Sequence, residues 1–83
     1  MRRLELRNVP AEFIRNYLLS EFDGAEQPDG SVTGDGWVVR FETGEPVRFG
    51  PNTLVPVVFV EIEGTDTGPV TTFVMRKSMR GGG

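Results

Sequence analysis

The segment from Thr53 to Glu63 constrains the fold more than any other part of the chain. Nearly every residue from Leu54 to Ile62 is apolar and most are β-branched, a side-chain type that is stiff at χ1 and packs well on a pleated surface. The run is too short to cross a bilayer and too apolar for a sheet edge, so it predicts a central strand. Its far end alternates, with Val58, Val60 and Ile62 on one face and Glu61 and Glu63 on the other. Such a strand needs neighbours on both sides and a cover. The 83 residues leave room for one domain to supply them, expected over residues 1–78 with a flexible glycine tail over 79–83.

The remaining segments supply that setting. Arg2 to Asn8 alternates, Leu4 and Leu6 against Arg3, Glu5 and Arg7, which is the period of a half-buried strand. Val9-Pro10 breaks it and opens a helix from about Pro10 to Phe22, with Glu12 where the helix dipole favours an acid. Phe13, Tyr17 and Leu18, beside Ile14 and Phe22, form the apolar stripe, leaving Glu12, Arg15, Asn16 and Ser20 to water. Asp23-Gly24 ends the helix, and the glycines between Gln27 and Gly36 predict a loop or short irregular hairpin. Trp37 to Glu42 reads as a strand, Thr43-Gly44 as its turn and Glu45 to Phe49 as a return strand, with Pro46 marking an edge or bulge. After a turn at Gly64 to Gly68, Val70 to Lys77 reads as the last strand. The expectation is an α+β fold, one N-terminal helix on a mostly antiparallel sheet of about four or five strands in the order β-α-β-β-β-β.

Composition excludes several functions. No cysteine and no histidine occur, so disulfide staples, thiolate sites and the commonest general base and metal ligand are missing. The start, Met1-Arg2-Arg3-Leu4-Glu5, lacks the apolar stretch of a signal peptide, which gives a cytoplasmic expectation with no membrane partner. A formal charge of −3 disfavours binding to a phosphate backbone, so no nucleic acid is expected. No cofactor, metal or catalytic residue is assigned. The chain is expected not to be an enzyme.

Few residues carry chemical promise. Arg80-Gly81-Gly82-Gly83 is a candidate functional tail, because a carboxylate on a side-chain-free thread can enter a narrow adenylating site; glycine-rich ends are also often merely disordered. Arg76 and Lys77 join Arg80 in a basic cluster, a candidate interaction site for an acidic partner, which Arg2 and Arg3 can join in space. Glu61 and Glu63 share a face as acid-base or cation chemistry requires, although such a pair is more often the wet side of a strand. Gly24 to Gly30 and Gly34-Asp35-Gly36 match no phosphate loop. Asp29, Asp35 and Asp66 sit in turns where aspartate satisfies local donors, and Trp37 is expected in the core.

Asn8-Val9-Pro10-Ala11, Gly34-Asp35-Gly36-Trp37, Gly44-Glu45-Pro46-Val47-Arg48-Phe49-Gly50, Glu61-Ile62-Glu63-Gly64 and Met79-Arg80-Gly81-Gly82-Gly83 together resemble a small uncharacterised bacterial domain family. In that family the domain is found C-terminally fused to ubiquitin-like sulfur carriers resembling the small subunit of molybdopterin synthase, in thermophilic bacteria of the Thermus group. The resemblance implies a TATA-binding-protein-like fold, a helix against a curved antiparallel sheet, and an association with sulfur transfer or molybdenum-cofactor assembly. It implies no catalytic residues. The expected function is a non-enzymatic interaction or accessory module with a protein partner, including itself as a homodimer that pairs or covers an exposed sheet edge. The alternatives are a carrier using its C-terminal glycine carboxylate, and a small enzyme or metal protein centred on Glu61 and Glu63.

Overall fold

The computed structural model describes residues 2–82, with side chains through Lys77. The chain runs β1 (Arg2–Arg7), α1 (Ala11–Glu21), β2 (Ala25–Glu26), β3 (Val32–Gly34), β4 (Trp37–Thr43), β5 (Val47–Arg48), β6 (Leu54–Val55), β7 (Val57–Glu63) and α2 (Gly68–Gly82). Five strands form one antiparallel sheet in the order β1-β7-β4-β3-β2. The apolar strand β7 lies inside it, central as its composition predicts, and is bonded to β1 and β4; the single strand expected over Thr53–Glu63 is broken at Pro56, so only Val57–Glu63 joins this sheet. Both helices lie on the face that presents Leu6, Val39, Val58, Val60 and Ile62, and they add Ile14, Leu18, Val70, Phe73 and Val74 to one core.

The fold is α+β, but the last element corrects the expected order: Val70 to Lys77 is helix, not strand. Its β-branched residues suggest a strand, yet its burial follows the helical period. Val70, Phe73 and Val74 are buried at i, i+3 and i+4, while Thr72, Met75 and Arg76 are exposed. Pro69 suits the first turn, where its missing N–H costs nothing, and Thr71 N–H donates to the Thr67 carbonyl at 2.8 Å to start the ladder. Two helices, not one, therefore cover the sheet. The backbone of α2 continues through Arg80, Gly81 and Gly82 of the expected tail, and Gly83 lies outside the described residues.

The return strand after Thr43-Gly44 is also corrected. β4 is already bonded to β3 on one side and, from Val38↔Glu63 to Thr43↔Val58, to β7 on the other. β3 covers its side of β4 only over Trp37–Val39, yet the returning chain does not take up the rest of that edge: β5 pairs with β6 in a separate two-stranded ribbon, Val47 opposite Val55. Pro56, which lacks an N–H, separates β6 from β7. Of the loop or short irregular hairpin expected between Gln27 and Gly36, a hairpin forms: β2, just ahead of that stretch, pairs with β3, and β3 pairs in turn with β4.

Helix α1 has Pro10 at its N-cap and Phe22 at its C-cap, close to the predicted ends. Its buried stripe is Ile14 and Leu18, with Tyr17 and Phe22 packed partly against the core. Phe13 is 46 % exposed and sits beside the stripe rather than in it. Arg15 is half-buried, its Nε donating to the Gly30 carbonyl at 3.3 Å. Trp37 is in the core as expected, and a Cβ at Gly34 would overlap its ring.

Candidate interaction site between the two helices

Once the final segment is a helix, its aromatic and basic residues meet those of α1. Tyr17 of α1 stacks on Phe73 of α2, centroids 4.1 Å apart and planes 15° from parallel. Phe22 tilts against Phe73 at 5.8 Å and meets Trp37 edge-on at 6.4 Å. Stacked and edge-on pairs suit the ring quadrupoles, so these contacts favour the arrangement seen. Beside them lies a cavity of about 520 Å³ lined by Tyr17, Phe22, Pro69, Thr72, Phe73, Arg76 and Lys77, within the size of pockets that take small ligands or a few side chains.

Arg76 and Lys77 thus share one site. The Lys77 ammonium lies 5.3 Å from the Phe13 ring, 5.7 Å from Phe73 and 5.9 Å from Tyr17, so aromatic faces replace part of its water as cation partners. Arg76 is exposed at the same rim. The ion pairs of the described residues all lie elsewhere, at Arg3, Arg7, Arg15 and Arg40. Among the described residues, this groove is apolar at its walls and positive at its mouth, with no carboxylate on it.

The other sequence candidates separate. Arg2 reaches α2, its Nη2 3.6 Å from the Met75 sulfur, but Arg3 turns away to Glu61. The Arg80, Gly81 and Gly82 backbone continues α2 beyond the cavity; the side chains from Ser78 onward and all of Gly83 lie outside the described part. Glu61 and Glu63 do share the open face of the sheet, yet each is held by an arginine. Arg3 Nη1 lies 2.6 Å from Glu61, and Arg40 Nη1 lies 3.0 Å from Glu63. Asp29 accepts from both the Ser31 hydroxyl (2.6 Å) and the Ser31 N–H (2.9 Å), and these bonds, the hydroxyl's first, hold its carboxyl below the usual aspartate range. It is a turn residue, as its setting predicts.

The aromatic groove itself is absent from the sequence reading. Its signal was present in Phe73 and Lys77 at i, i+4 and in Phe13 and Tyr17 at i, i+4, a pairing that becomes visible only when Val70 to Lys77 is read with helical period.

A two-helix layer on one antiparallel sheet, with a basic aromatic groove between the helices, defines the class: a small α+β domain. The archaeal MoaD-like protein family matches residues 2–83, and the chain belongs to that family. Membership is consistent with an association with sulfur transfer or the molybdenum cofactor. No curated protein matches the chain. No helix among the described residues is long and apolar enough to cross a membrane.

Proposed function

We propose that this protein is a non-enzymatic interaction or accessory module of sulfur transfer or molybdenum-cofactor assembly, acting in the cytoplasm through the groove between α1 and α2. The observation that carries this reading is the groove's chemistry within a MoaD-like chain: three aromatic rings, then Arg76 and Lys77 with no carboxylate beside them among the described residues. A protein segment that sets an apolar side chain against Tyr17 and Phe73 and a carboxylate against Arg76 fits it. Rings supply contact area and the cations fix orientation. The partner class is a ubiquitin-like sulfur carrier, fused ahead of the module or separate from it. Titration calorimetry with such a carrier tests the reading. Arg76→Glu with Lys77→Glu is expected to weaken binding about tenfold or more, and equal affinity for both forms would remove the groove from the account.

A second reading is favoured by the family match extending through the glycine end. There the protein is itself the carrier, and Gly83 holds the activated carboxylate. Intact mass spectrometry of the untagged protein from its native host tests it. Sulfur in place of a terminal oxygen supports it, and an unmodified chain throughout opposes it. The enzyme or metal reading centred on Glu61 and Glu63 gains nothing from the structure, since both carboxylates are committed to arginines.

A further inference from the structure

The outer strand β1 carries an inference that goes beyond the groove and does not depend on it. β1 is six residues long and ends the sheet, whereas the opposite edge, β2, has two. Long edges template pairing with another strand unless proline, a bulge, charged side chains or a covering element blocks them; β1 contains no proline, and the charges along its open face, Arg3, Glu5 and Arg7, alternate in sign, so they can be matched across an edge in the right register. Its direction of pairing can be read from one hydrogen bond. Asn8 N–H donates to the Pro56 carbonyl at 2.9 Å, so the Arg7 carbonyl, on the other side of that trans peptide, points away from β7. Strand alternation then turns the main chain of Arg3, Glu5 and Arg7 to the outer edge.

We propose that β1 pairs antiparallel with β1 of a second copy about a two-fold axis at Leu4, making one continuous sheet across the dimer. The side chains select this register. An axis at Leu4 sets Arg3 opposite Glu5 of the second copy, twice, and Leu4 opposite itself. Across the protomer the row Arg40, Glu61, Arg3 already alternates in sign, and Glu5 of the second copy continues it. Glu5 holds Arg7 at 2.6 Å in its own strand; pairing brings a second guanidinium to that carboxylate and does not require an idle one. An axis at Glu5 would instead oppose Glu5 to itself and Arg3 to Arg7, which is repulsive. An axis at Leu6 would run the pairing through Asn8, whose φ of 61° ends the extended backbone. It would also gain little apolar burial, because Leu6 is already fully buried while Leu4 is half-exposed. On the helix side, Met75, 38 % exposed, contacts Arg2 of the same edge and extends the apolar flank.

The test uses the full chain in sedimentation velocity and native mass spectrometry. The wild type is expected to dimerise, and Arg3→Glu and Glu5→Arg are each expected to weaken association about tenfold by opposing like charges. An equimolar mixture of these two variants restores both Arg-Glu contacts, so it should form the heterodimer in preference to either homodimer. A register readout independent of charge comes from cysteine, which the chain lacks. Leu4→Cys should cross-link to itself on mild oxidation, because directly opposed residues on that face lie within disulfide reach, whereas Leu6→Cys should not. A wild type that stays monomeric at millimolar concentration overturns the proposal. A dimer indifferent to both charge reversals, or cross-linked through Leu6→Cys, overturns the register. Either failure leaves binding at the groove, measured with Arg76 and Lys77 replaced, unaffected.

Discussion

The two faces of β7 meet opposite environments. Val58, Val60 and Ile62 face the helices and are almost wholly buried. Phe59, Glu61 and Glu63, one residue out of step, lie under arginines, with the Arg3 guanidinium 4.4 Å from the Phe59 ring and each carboxylate in an ion pair. The strand's period of two separates these roles, because a slip of one residue would drive glutamates into the core. Stability therefore resides on the helix side. The ionic side contributes register and solubility, since exposed ion pairs add little free energy.

The sharpest way to break this comparison is on the dry side. Phe73→Ala should cost about 3–5 kcal/mol in chemical denaturation, while the adjacent, exposed Thr72→Ala should stay within about 0.5 kcal/mol. Equal effects would mean that α2 is misplaced. On α1, Leu18→Ala should cost about 2–5 kcal/mol, and Phe13→Ala, on a half-exposed ring, should cost clearly less. Gly64 links β7 to α2 at φ 144°, and a Cβ there would collide with the Gly36 carbonyl; Gly64→Ala should cost about 1–3 kcal/mol.

The ionic side should respond weakly. Glu61→Gln and Glu63→Gln are each expected to change stability by less than about 1 kcal/mol, and by less again in high salt. Smallest of all is the turn at Asp29. Its folded carboxyl is held low by Ser31, so its contribution is complete above the unfolded value of about 3.9 and fades as pH falls through the lower folded value. The stability gap between wild type and Asp29→Ala should be constant near neutrality and close in acid.

How much of this was legible follows from the same residues. β1, β7 and α1 could be read because their periods are clean and their ends carry Pro10 and Gly64. The central place of β7 followed from its apolar content, whereas its neighbours β1 and β4 did not. α2 could not be read by composition, since Val70, Thr71, Thr72 and Val74 favour strands by propensity, and only the buried face they share with Phe73 makes them helical. Packing overrode propensity there. The site was lost with the helix: Arg76 and Lys77 stood out as cations, but two of the three rings that give them a cavity, Tyr17 and Phe22, come from α1 and its C-cap, more than fifty residues earlier. The arginine partners of Glu61 and Glu63 were hidden likewise, because Arg3 and Arg40 reach them only through strand register.

The most direct test of the central claim is titration calorimetry of the full chain against a purified ubiquitin-like sulfur carrier, repeated with Arg76→Glu and Lys77→Glu combined. The account predicts saturable binding by the wild type and a loss of about tenfold or more in the variant, with the variant's fold intact by circular dichroism. No binding by the wild type, or binding that ignores the reversal of both charges, would contradict it.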